Sequence, residues 1–223
     1  MADGSAGGRY KLWDGPVRLV HWLLVGLIAF SWWASEDHLN WLRWSGYTII
    51  GLVLFRIWWG FAGGGAARFS SFVRGPRAIL AHLKTVGRRD RSDVPGHNPL
   101  GALSVLAFLA VLLVQVGTGL FAVDVDAFEA GPMSDRVSFE LGRQIAEIHE
   151  LNFRILQGLV VLHVLAVVFY LVWKRTDLTL PMITGRRALP SDPGFAGAPW
   201  WRLILGVALA GAIAWALSKG LRF

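Results

Sequence analysis

The chain has 223 residues, is 54% hydrophobic and only 17% charged, carries a formal net charge of +7 and contains no Cys. Disorder is excluded, because it needs low hydrophobicity and dense charge. So are a disulfide scaffold, a cysteine-ligated metal and a thiolate nucleophile. A soluble enzyme of this size would still need a charged coat, and a mean hydropathy of +0.48 leaves too little of one. The remaining class is an integral membrane protein.

The first eight residues are polar, and no small-residue cleavage site follows the first apolar run, so no cleavable signal peptide is expected. Apolar stretches then occupy residues 17–34, 45–62, 100–123, 151–173 and 200–217. A helix needs about 20 residues to cross about 30 Å of hydrocarbon, so five transmembrane helices are predicted. The fifth follows a Pro/Gly-rich stretch at residues 190–199. Between the second and third, residues 69–86 place Ile79, Leu80 and Leu83 on one side among Arg77, His82 and Lys84. That pattern predicts a short amphipathic helix on the membrane surface. Gly63, Gly64 and Gly65 read as a flexible exit from the second span.

Charge is asymmetric across these elements. Arg9, Lys11 and Arg18 precede the first span, Arg68, Arg74, Arg77, Lys84, Arg88, Arg89 and Arg91 follow the second, and Lys174, Arg175, Arg186 and Arg187 follow the fourth. The other connections carry Glu36 and Asp37, then Asp124, Asp126, Glu129, Asp135, Glu140 and Glu147. Positive charge stays in the cytoplasm. The N-terminus is therefore expected inside, in a bacterial inner membrane, and the basic balance needs no nucleic-acid partner.

Polar groups inside apolar spans are costly and mark function. Of six histidines, His82 reads as a surface residue, His97 opens the third span and His38 lies in the first outer connection. His21, His149 and His163 lie in or at the edge of spans. His149 and His163 are fourteen residues apart on the fourth span, which returns them to within about 40° of one direction after about 21 Å of rise. Imidazoles from two spans are a donor set for a six-coordinate, low-spin haem suited to electron transfer. Zinc would want three or four ligands at one depth, and these rings are spread in depth.

The run Trp13-Asp14-Gly15-Pro16-Val17-Arg18-Leu19-Val20-His21-Trp22 resembles the first-helix signature of bacterial cytochrome b561 and hydrogenase-type cytochrome b subunits. Leu54 to Phe61, Ala67-Arg68-Phe69 with Gly75-Pro76, His97-Asn98-Pro99-Leu100-Gly101, and His149-Glu150-Leu151 with Leu162-His163-Val164 are similar to its later segments. The resemblance covers residues 10–187. It implies an all-α, four-helix haem-binding membrane domain at residues 1–187, to which residues 188–223 add a linker and a fifth transmembrane helix.

The same resemblance implies site residues. The haem nearer the cytoplasm would be held by His21 and His163. An outer haem would be held by His149 and a His four residues before a Gly-Tyr pair. That pair is Gly46-Tyr47, and the matching position is Leu42, which cannot ligate iron. Either His38, one turn outward, takes its place, or the outer haem is five-coordinate or absent. One haem b is thus expected, and two are possible. Arg56 and Arg18 are candidates for haem propionates. Arg154 is a candidate for an outer propionate or for Glu150. His97 and Asn98 are placed to bond a quinone carbonyl, with helix capping by Asn98 as the plain alternative. No group reads as a nucleophile or an acid–base pair. The expected function is electron transfer between a periplasmic-side partner, a c-type cytochrome or another redox subunit, and the quinone pool. A quinone-linked superoxide oxidase and a membrane anchor with fewer haems in a larger complex are the alternatives.

Overall fold

The structure is a computed structural model and describes residues 8–35, 38–89, 94–125 and 129–222. Glu36, Asp37, Arg91 and Asp126, part of the charge pattern above, lie outside them. In chain order the elements are β1 (Gly8–Lys11), α1 (Gly15–Ala34), α2 (Leu39–Ala62), a 3₁₀ turn (Gly65–Ala67), α3 (Phe69–Phe72), α4 (Pro76–Thr85), α5 (Pro99–Gly119), a 3₁₀ turn (Ser134–Arg136), α6 (Phe139–Val172), α7 (Thr179–Thr184), β2 (Arg186–Leu189) and α8 (Trp200–Ser218). Helices α1, α2, α5, α6 and α8 are long and apolar enough to cross a membrane, the five expected. Leu162, Leu165 and Val172 on α6 and Ile204 and Val207 on α8 are all more than half exposed. Exposed apolar area on that scale is viable against lipid rather than water.

Two of the spans outrun their apolar stretches. α2 begins at Leu39, six residues before the apolar run, and α6 begins at Phe139, twelve before. The 34 residues of α6 rise about 51 Å, well beyond about 30 Å of hydrocarbon. Its early turns hold Glu140, Leu141, Arg143, Gln144, Ala146 and Glu147, all good or tolerable helix formers. An apolar run therefore marks membrane depth and not the helix end.

The residues divide into two compact units. The first comprises Met1–Leu19, Trp58–Leu106 and Val161–Leu203. In it Asp14 caps α1, its Oδ1 accepting the Val17 N–H at 2.9 Å. Its Oδ2 accepts Trp59 Nε1–H at 2.7 Å, which ties the start of α1 to the end of α2. Asn98 caps α5 through the Gly101 N–H at 2.8 Å, with Pro99 at the first helical position. Such a cap is worth about 1 kcal/mol. The strands β1 and β2 pair antiparallel, Gly8 with Leu189 through Lys11 with Arg186. The ladder is steered by Gly185, at φ 78°, whose carbonyl accepts the Leu12 N–H at 2.8 Å. A Cβ there would lie 2.9 Å from the Trp13 carbonyl oxygen, so glycine is required.

The glycine triplet corrects an expectation. Gly63 and Gly64 are buried, and a Cβ on Gly64 would stand 2.5 Å from the Ala196 carbonyl oxygen. Gly65 sits at φ 37°. The triplet is a packed turn where backbones meet closely, not a flexible exit.

The second unit comprises Val20–Ile57, Ala107–Val160 and Ile204–Phe223. The Oγ atoms of Ser31 and Ser45 share a 2.6 Å hydrogen bond that joins α1 to α2. A Cβ on Gly51 would touch that of Ala214 at 3.4 Å, so α8 packs closely on α2. In the first unit α8 also begins against α2, with Trp58 Nε1–H donating to the Arg202 carbonyl at 3.0 Å. Arg43 pairs with Glu129, and Arg222 pairs with Asp135 at 2.6 Å, which holds the acidic connection between α5 and α6.

Candidate functional site

His149 has the most completely defined surroundings of the candidate ligands. Its ring sits half-buried on α6 against α5. Nδ1–H reaches the Gln115 carbonyl at 2.9 Å, with Thr118 Oγ1 also 3.0 Å from Nδ1. Nε2 stands 3.0 Å from Gln115 Nε2, which donates to it. The Gln115 Oε1 accepts from Asn152 Nδ2 at 2.6 Å, and the same amide donates to the Val111 carbonyl at 3.0 Å. The room for the ring comes from Gly119, where a Cβ would lie 3.1 Å from His149 Cε1. Both imidazole nitrogens are thus satisfied by the protein in one neutral tautomer, and the network is closed as a network in hydrocarbon must be.

Gln115, Thr118 and Asn152 were not among the expected site residues. Their signal was present: each is a polar side chain in or beside an apolar stretch, and Asn152 is buried.

The expected substitute ligand at the outer end has other partners. His38 is exposed and its ring lies against Trp33, tilted by 40°, with centroids 4.9 Å apart. Leu42 follows one turn later, its N–H donating to the His38 carbonyl at 3.0 Å. Arg154, the candidate for an outer propionate, pairs with Glu150 at 2.5 Å on an exposed face. Exposed pairs of this kind are worth little.

His21 is half-buried on α1, its ring edge-on to Trp22 at 4.9 Å. His163 is half-buried on α6. Arg56 is buried within α2 at 7% exposure, an environment that demands an anion or several acceptors for a guanidinium. Arg18 donates through Nη1 to the Ile183 carbonyl, while its Nε is buried without a hydrogen-bond partner.

At the start of α5, His97 is held between the rings of Trp13 and Phe72, at 4.7 and 4.6 Å. Beside it Asn98 serves as the cap and also donates through Nδ2 to Tyr170 Oη at 2.7 Å. His82 departs from its expected surface role. It is half-buried on α4, with Nε2 3.2 Å from the same Tyr170 hydroxyl. Because Asn98 already donates to that oxygen, the hydroxyl's own hydrogen is available to His82, and the neutral ring accepts it. Burial first, and then the nearby Lys174 ammonium, holds His82 below the usual histidine range.

The sign of the pH effect follows. Above the ordinary histidine pKa of about 6.5, the ring is neutral whether α4 is docked or free, and docking is at full strength. As pH falls from there toward the depressed value, only the undocked ring takes up a proton, and docking weakens. Hydrogen exchange at the α4 amides, corrected for intrinsic rates, should accelerate several-fold between about pH 7.5 and about pH 5. His82→Gln should remove that dependence. Protection in the native chain that is indifferent to pH would contradict the assignment.

These features define a class: an all-α, multi-pass membrane protein with imidazoles and guanidinium groups set inside its spans. The sequence profile of prokaryotic cytochrome b561 matches residues 12–185, and the chain belongs to that family. It is therefore a membrane b-type cytochrome, a carrier of electrons whose family binds b-type haem. No curated protein and no solved structure matches the chain.

The residues present fit haem unevenly. His21 and His163 place imidazoles within the spans, and the buried Nε of Arg18 is a donor of the kind that a propionate takes. At the outer end, Leu42 offers no ligand and the ring of His149 is already bonded at both nitrogens.

Proposed function

We propose that this cytochrome passes single electrons between a redox partner on its acidic side, a c-type cytochrome or another redox subunit, and a quinone on its basic side. One low-spin haem b, with His21 and His163 as axial ligands, would supply the one-electron couple. The observation that carries the reading is the family match across residues 12–185, a span that includes His21 and His163. The chain's own part is to fix two neutral imidazoles, exclude water with apolar side chains, and offset propionate charge through Arg18 and Arg56. His97 and Asn98 mark the end of α5 where a quinone carbonyl would be received. The haem-binding domain is taken as residues 1–187, with the segment from residue 188, α8 included, as an addition to it.

The self-sufficient oxidase alternative needs an open coordination position on an outer haem. The closed hydrogen bonding of His149 disfavours it. The test is spectroscopic. Purified protein reduced with dithionite should show the sharp bands of a low-spin b-type haem, and a quinol should reduce the same haem. A colourless protein, or a haem indifferent to quinols, would contradict the reading.

The orientation belongs to this proposal: the N-terminus and α4 face the cytoplasm of the bacterial cell, by the distribution of Lys and Arg. Single cysteines at Ser70 and Ser138, both exposed, report it. In intact cells an impermeant thiol reagent should label position 138 alone. Labelling at 70 and not 138 would invert the topology.

A further inference from the structure

We propose that the outward face of α4, Leu80 and Leu83 with Arg77, Lys84 and Arg88 around them, is a binding surface for anionic phospholipid headgroups. The helix has two distinct sides. Ala78, Ile79, His82 and Thr85 are half-buried, and His82 is bonded to Tyr170. Arg77, Leu80, Ala81, Leu83 and Lys84 are exposed, Leu80 at 59% and Leu83 at 47%. Leu80 and Leu83 lie about 60° apart around the helix, and Arg77 and Lys84 fall within about 60° of Leu80 on its other side. Ile79 lies about 40° beyond Leu83 on the side away from Lys84 and is half-buried, so it forms the edge of the leucine face next to the protein.

The depth of this face is set by neighbours. Trp173, the residue after the end of α6, donates from Nε1 to the Gly87 carbonyl at 3.0 Å. Lys174 Nζ stands 3.5 Å from the Thr85 carbonyl. The helix is therefore pinned at the level where the α6 span ends, which is the headgroup region. There the leucines reach the acyl boundary, and the long cationic side chains extend to phosphate.

The charge is one-sided. From Gly63 to Arg89 there are six Lys or Arg residues and no Asp or Glu. A zwitterionic surface would gain little from that excess, whereas an anionic one gains from each cation. Two large exposed apolar side chains in the middle of the cluster favour lipid over a nucleic acid or an acidic protein surface.

The test uses the full-length protein in bilayers of phosphatidylcholine and phosphatidylglycerol, with spin-labelled versions of each lipid reporting association at the protein boundary. The native chain should favour phosphatidylglycerol by about fivefold, and R77Q/K84Q/R88Q should reduce this to about twofold or less. The triple variant R9Q/K11Q/R186Q, altered at exposed cations of the β1–β2 ladder, should keep the preference. An unchanged haem spectrum in both variants shows that they are folded. No preference in the native chain, its survival in the α4 variant, or an equal loss in both variants would overturn the proposal. An equal loss would mean that only net charge is sensed.

Discussion

Alanine at His21 or at His163 is expected to abolish the low-spin b-type spectrum, each substitution acting alone. A haem held by these two imidazoles would lose one of its two protein donors when either is removed, and the other histidines are engaged. His97 is held between Trp13 and Phe72, and His149 is bonded to Gln115. Haem per polypeptide should fall from about one to near zero, or remain as a high-spin, five-coordinate remnant. A low-spin spectrum that survives in both variants would remove the pairing. Folding is checked separately, because both rings are only half-buried and their loss should leave the helices in place.

Substitutions at the outer end should behave in the opposite way. His38→Ala and His149→Ala are expected to leave the haem spectrum and content unchanged. A bis-imidazole site needs two nitrogens at about 2 Å from iron. The position expected to supply the second is Leu42, and His38 is an exposed ring lying against Trp33. His149 in turn is a structural member of α5–α6 packing. Its removal takes the acceptor from the Gln115 side-chain amide, while Thr118 Oγ1 still donates to the Gln115 carbonyl at 3.0 Å, a polar loss of about 1–3 kcal/mol. The variant should therefore unfold at lower temperature while keeping its colour. Loss of one of two low-spin signals in His38→Ala would instead show that His38 serves as a ligand.

The five spans were legible because hydrocarbon thickness sets a length that any apolar run must meet. The helix ends were not, since Phe139 to Glu150 is polar yet helical and carries no hydropathy signal. The β1–β2 ladder was invisible for another reason: two four-residue strands with little apolar alternation pair across nearly the whole chain. At the site, the motif around Trp13-Asp14-Gly15-Pro16 was readable as a resemblance. Its physical role, Asp14 capping α1 and holding Trp59, emerged only from the fold. His82 was misjudged because local sequence gives the polarity of α4 but not which side meets Tyr170. Gln115 and Asn152 carry no motif of their own: their role comes from meeting His149 across α5 and α6, which spacing along one helix does not reveal.

The most direct measurement is the ratio of haem to polypeptide in purified native protein, with the spin state recorded on the same sample. One low-spin b-type haem per chain is the expected result, with His21 and His163 as its proposed ligands and His149 hydrogen-bonded to Gln115. Two low-spin haems per chain, or none, would contradict it.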